Sequence, residues 1–200
     1  MKRIVMLASA MLVTVMMNAQ SGFGLLGGVN FSTSSTPDAQ WRVGGYFGGL
    51  YDFQLTKDFY LQPRLLFSYQ ENQQPQFLTS SVTGNDFFSQ WNVSLPVLAS
   101  FRVRLSNTVG LRLNAGPYVQ YAAFGRNKQS VIHGDGSHGT ELGWWHSDFS
   151  DKLTYGGMAG IQIERGKWFG TFDYKHSFRR NSLNFGGFEN TLQLGFGYKF

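Results

Sequence analysis

The residues best suited to chemistry crowd into one segment, Phe124 to Lys152. It holds His133, Asp135, His138, Glu141, His146, Ser147 and Asp148, with Trp144 and Trp145 among them. Three histidines and several carboxylates can ligate a transition metal, and a Ser, His and Asp grouping can hydrolyse an ester or amide. Neither chemistry has its diagnostic spacing here. His133 and His138 stand five apart in a glycine-rich stretch, which matches no standard zinc pattern. The plainer reading is a surface loop, with Trp144 and Trp145 as candidates for anchoring a partner, a role exposed tryptophans commonly play. No metal, cofactor or catalytic residue is therefore assigned.

A second set of charges is spread singly: Arg42, Asp52, Arg64, Arg102, Arg112, Glu164, Asp173, Lys175 and Lys199. Each lies in a stretch where apolar and polar residues alternate. Phe59 to Gln70 is the clearest, with Phe59, Leu61, Pro63, Leu65, Phe67 and Tyr69 opposed to Tyr60, Gln62, Arg64, Leu66, Ser68 and Gln70. The same period of two runs through Gly22–Phe31, Trp41–Phe53, Phe87–Val103, Gly110–Ala123, Leu153–Arg165, Trp168–Phe178 and Leu192–Phe200. Period-two alternation predicts strands, and a helical period fits none of these stretches as well.

The connections alternate in length. Gln54–Asp58, Arg104–Val109 and Gly166–Lys167 are short, whereas Ser32–Gln40, Glu71–Asp86, Phe124–Lys152 and Arg179–Gly187 are long. All four long connections then fall at one end, as in an up-and-down barrel with tight periplasmic turns and long exterior loops. The expected fold is all-β: an eight-stranded antiparallel up-and-down transmembrane β-barrel. Its apolar face meets lipid, and two aromatic belts follow. Trp41, Tyr69, Trp91, Tyr121, Tyr155 and Phe178 fall near the loops, and Phe53, Phe59, Phe101, Trp168, Tyr198 and Phe200 near the turns. A soluble lipocalin-like carrier would reverse the faces around a ligand, and periodicity alone leaves that alternative standing.

In so narrow a barrel side chains fill the lumen, so the inward charges are expected to form a salt-bridged network with Gln62, Gln162, Asn92 and Asn114. The alternative is a narrow ion path lined by surplus arginines. Pro63, Pro96 and Pro117 sit inside strands, where a missing donor predicts local bulges or bends.

Residues 1–19 read as a secretory signal peptide: Lys2 and Arg3, an apolar Ile4–Met17, then Asn18-Ala19 before Gln20, with cleavage near Ala19. Residues 20–200 form the single remaining domain. Loss of the signal removes two of the 17 basic residues and none of the 12 acidic ones, lowering the net charge from +5 to +3. With basic residues so dispersed, nucleic acid is excluded as a partner. With no cysteine, disulfides and lipid-modified cysteine are excluded as well.

The sequence resembles the outer-membrane β-barrel domain proteins of Gram-negative envelopes, the porin-family or PorT-like group. The likeness covers nearly the whole chain. It rests on Asn18-Ala19-Gln20, on Phe59 to Tyr69, on Trp91-Asn92-Val93-Ser94-Leu95-Pro96-Val97-Leu98, and on Gly195-Phe196-Gly197-Tyr198-Lys199-Phe200. Where the family usually carries a glutamate before the proline, this chain has Ser94. The resemblance implies an outer-membrane location, lipid as surroundings, and no enzymatic activity. It also implies recognition of the strand ending in Phe200 by the barrel-assembly machinery. The expected function is structural or surface-interacting, through an extracellular or periplasmic partner, with little or no pore. A small transporter, a channel or a loop-based enzyme is the alternative.

Overall fold

The computed structural model describes residues 22–35, 39–79, 82–106, 108–132, 138–144, 152–180 and 187–200, with side chains described outside 72–88 and 127–144. The segment 1–19 lies outside the described residues. Among the described residues nine strands follow in order: β1 (Gly22–Ser34), β2 (Arg42–Gln54), β3 (Phe59–Thr79), β4 (Val82–Arg104), β5 (Val109–Ile132), β6 (His138–Trp144), β7 (Leu153–Arg165), β8 (Trp168–Ser177) and β9 (Glu189–Lys199). Eight of them close a wall. Consecutive strands pair antiparallel, β5 pairs with β7, and β9 returns to β1. β6 stands outside the wall and pairs with the far end of β5, from Arg126 to Ile132.

The phase of the alternation decides which face is which. Phe47, Phe196 and Leu95 are more than half exposed on the outer surface, while Leu66, Gln62 and Thr191 are fully buried. Apolar side chains cover the outside and polar ones the inside, which overturns the lipocalin-like alternative. An exposed apolar band around a closed sheet requires a nonaqueous solvent. Both belts are present on that surface. Tyr69 packs on Trp91 with ring centroids 5.2 Å apart. At the turn end Trp168 packs on Tyr198 at 4.8 Å and Phe23 on Phe200 at 5.9 Å.

The turns are as short as the sequence implies. Gly166 takes a φ of 61°, the left-handed value that a two-residue hairpin between Arg165 and Trp168 requires. Inside the wall Gly28 faces Gly195 across the β1–β9 seam. A Cβ on Gly28 would sit 1.9 Å from the Leu194 carbonyl oxygen, and one on Gly195 would sit 2.1 Å from the Tyr46 hydroxyl. The missing side chains leave room for the Tyr46 ring to lie across the seam.

Two expectations need correction. First, the connections after β3 and within Phe124–Lys152 are not loops throughout. β3 and β4 stay paired from Glu71–Ser89 out to Thr79–Val82, and β5 runs to Ile132 with β6 beside it. Alternation fades there because a ribbon beyond the membrane is wet on both faces, so nothing in the sequence marks its strands. Likewise β9 begins at Glu189, three residues before the alternation becomes evident.

Second, the prolines carry no bulges. The register is the same on both sides of each, as in Leu50 with Arg64 and Phe53 with Leu61, or Pro96 with Tyr118 and Ala99 with Ala115. The ladder instead pauses beside the prolines: Pro63 has no recorded partner on β2, Pro96 none on β3, and Pro117 none on β4. Each strand omits a bond and continues, because pairing above and below pins it. The irregularities lie between Trp91 and Asn92, opposite β5, and between Phe77 and Thr79, opposite β4.

Candidate functional site

The inward charges come from β2, β3, β4, β5, β7, β8 and β9, whose alternate residues converge on one narrow lumen. Near the turns Asp52 and Glu164 are the anionic pair. Asp52 accepts from Arg112 Nη1 at 2.9 Å, Lys199 Nζ at 2.5 Å and Gln62 Nε2 at 2.6 Å. Glu164 accepts from Gln162 Nε2 at 2.7 Å, lies 3.0 Å from Arg112 Nε, and also takes the Lys199 ammonium. Each cation thus serves both carboxylates. Arg102, about one-third exposed at the rim, adds a looser contact of 3.7 Å to Glu164. The Arg112 guanidinium lies 4.2 Å from the centre of the Tyr60 ring.

One step higher, Arg64 donates to Asp173 Oδ2 at 2.8 Å and to Gln62 Oε1 at 2.9 Å, with both charged side chains wholly buried. Around this pair the waist is apolar. Leu26, Tyr46, Leu50, Leu66 and Phe169 form one buried cluster, and Leu98, Tyr118 and Met158 another. These residues occupy inward positions among polar neighbours, so an alternation count reads them as exceptions. Their grouping into two clusters is visible only once register is known.

In the loop half, above the waist, amides and hydroxyls surround Lys175 and Glu189. Gln70 donates to Ser32 Oγ and Glu189 Oε1 at 3.1 Å each, and its own oxygen accepts from Asn92 at 2.6 Å. Gln120 donates to Glu189 at 3.3 Å and accepts from Lys175 Nζ at 2.6 Å. Lys175 also sits 4.7 Å from the centre of the Tyr118 ring. Gln70 stands on the polar face that the alternation of Phe59 to Gln70 predicts, although that alternation alone does not assign it to the network. Glu189 escapes sequence reading because it precedes the strand expected from Leu192; the polar positions Thr191 and Gln193 that follow it are the available signal.

Of the charges expected to form one network, Asp52, Arg102, Arg112 and Glu164 meet near the turns. Arg64 and Asp173 pair at the waist, and Lys175 joins the amides above. Arg42 lies ten residues from Asp52 on β2, roughly 33 Å away along an extended strand, at the loop end opposite Ser32. Both lower carboxylates are taken up by cations, and among the described residues no group of three His, Asp or Glu side chains is arranged to hold a metal. His138, Glu141 and Trp144 fall on β6, while His133, Asp135, Trp145, His146, Ser147 and Asp148 lie outside the described residues. Phe200 lies on the outer surface against Phe23, at the turn end.

A family profile for the outer membrane protein beta-barrel domain matches residues 18–183. No curated protein matches the sequence. Among solved structures, Ail of Yersinia pestis, crystallised with the heparin analogue sucrose octasulfate, is similar at 16% identity. That match covers 90% of this chain and 99% of that one, with a TM-score of 0.44. Neisserial surface protein A is similar at 14% identity over 89% of this chain and 97% of that one, with a TM-score of 0.43. The translocator domain of the autotransporter NalP from Neisseria meningitidis is similar at 10% identity, covering 98% and 96%, with a TM-score of 0.34. The closed antiparallel wall, its apolar exterior and the profile match over most of the chain agree: the protein belongs to the outer membrane protein beta-barrel domain family.

Proposed function

We propose that this outer-membrane barrel is a non-enzymatic structural or surface-interacting protein whose lumen is a braced interior and not a conduit. The observation that carries the reading is the filled waist, where Arg64, Leu66, Leu98 and Tyr118 are all at most 1% exposed. An eight-stranded barrel has an interior that side chains can fill, and here ion pairs, apolar contacts and amides occupy successive levels. The work then falls to the hairpins beyond the wall, with Trp144 and Trp145 as candidate anchors for an extracellular partner. Residues 1–19 serve as a signal cleaved near Ala19. The outward aromatics of β9, including Phe200, are the surface offered to the assembly machinery.

The test is planar-bilayer recording on refolded protein whose heat-dependent gel mobility certifies a closed barrel. We expect no stable current steps. A reproducible single-channel conductance overturns the braced-lumen reading. Replacing 124–152 with a short turn is expected to preserve the mobility shift while abolishing binding to whole cells or host matrix, and unchanged binding overturns the role of that segment.

A further inference from the structure

The irregularity in β5 has an effect that the lumen does not use. Trp91 pairs with Phe124 while Asn92 pairs with Ala122, so Ala123 is an extra residue. A slip of one residue sends every subsequent side chain to the opposite face. Without the bulge, Phe124 and Arg126 would continue the inward series of Gln120 and Ala122. With it, both are exposed on the outer wall, and Gly125 takes the inward position opposite buried Gln90. Bulges of this kind re-aim side chains.

The re-aimed residues open a cavity of about 370 Å³ on the outer wall, lined by Tyr69, Ser89, Trp91, Phe124, Gly125 and Arg126. Its height is set by the loop-end aromatic belt. Tyr69, Trp91 and Phe124 form one row across three strands, and Ser89 and Arg126 pair one step farther from the membrane centre. Aromatic belts mark the headgroup level, so the cavity opens onto headgroups, with acyl chains below. Guanidinium is the side chain best matched to phosphate, through two parallel hydrogen bonds. Glu71, on the outward row beside Ser89, accepts from the Tyr69 hydroxyl at 2.5 Å and does not line the cavity.

We infer that this cavity seats the phosphate of an outer-leaflet lipid whose headgroup carries a net negative charge, one with no choline or amine to compete with Arg126 for that phosphate. Arg126 binds the phosphate, and the Trp91, Phe124 and Tyr69 rings flank the lipid below its headgroup. The inference rests on the membrane reading above, with the loop end outward.

The test uses the full chain refolded into phosphatidylcholine vesicles with and without phosphatidylglycerol, reading the midpoint of heat-induced loss of the compact gel species. Phosphatidylglycerol is expected to raise that midpoint for the unaltered protein. Arg126→Ala abolishes most of the rise. Arg126→Lys keeps part of it, and Lys57→Ala, which removes an exposed turn charge, keeps all of it. An undiminished rise in Arg126→Ala overturns the site. So does a rise of equal size from inorganic phosphate added to phosphatidylcholine vesicles, which would assign the cavity to a soluble anion. Absence of any heat-dependent mobility shift in either vesicle overturns the membrane reading instead.

Discussion

At the turn end of the lumen Arg112 and Lys199 each bridge both carboxylates, whereas at the loop end Gln70, Gln120 and Asn92 carry most of the bonds around Lys175 and Glu189. The two regions satisfy the same demand, a polar interior, by different means. Charges bind strongly but leave a heavy penalty when one is removed, while amides bond in either direction and can exchange partners. The ionic half also gathers the strand β9 against β2 and β7, through Lys199. The amide half lies nearest the exterior hairpins, where sequence has most freedom to vary without leaving a bare charge behind.

The most damaging single change is expected between the two halves. Arg64→Met leaves Asp173 buried and unpaired and should cost about 3–5 kcal/mol in urea unfolding from vesicles. Adding Asp173→Leu should recover much of that loss. If the single variant unfolds like the parent, the waist pair is not a brace. Asp52→Asn should cost less, about 2–3 kcal/mol, because Glu164 still receives both cations. Combining it with Glu164→Gln should cost more than the two separate losses together, since Arg112 and Lys199 then have no anion. Additive losses would show that the two carboxylates act independently. Gln70→Leu should cost about 1 kcal/mol, as Asn92 and Glu189 find other partners near the loop end. A loss matching that of Asp52→Asn would erase the distinction between the halves. The smallest effect belongs to the prolines. Amide exchange at Leu65 and Leu98, beside the pauses in the ladder, should run faster than at Phe67 and Ser100 in the same strands, and equal protection would mean that the pauses are closed in solution.

The wall was legible in the sequence because lipid on one side and packed polar groups on the other force strict alternation, as in Phe59 to Gln70. The same rule identified the inward charges but not their grouping. Arg42 and Asp52 share a face of β2, yet only register shows that Asp52 meets Arg112 and Lys199 while Arg42 ends near Ser32. Three features left no local mark. The ribbons of β3–β4 and β5–β6 are wet on both sides, the bulge at Ala123 adds one residue without changing composition, and Leu26, Leu98 and Met158 form the waist only after the sheet curls shut. The prolines misled for a related reason. A closed wall holds a strand on two sides, so one absent donor is tolerated without displacing the register.

The β1–β9 seam joins Leu25 to Tyr198, almost the full span of the described chain, while the other wall pairings link strands that follow one another. Neighbouring hairpins can zip up in sequence order, each closing only a modest loop, so the seam is the one step that waits for all the rest. Before it closes, Lys199 on β9 stands apart from Asp52 on β2, and the ring of charges is incomplete. Closure of the seam is therefore the step that brings Lys199 to Asp52, whereas Arg112 and Glu164 can already pair across the neighbouring strands β5 and β7. Until the final strand docks, Asp52 stands open to solvent and salt on that side, and its ring of cations is completed only as the wall locks.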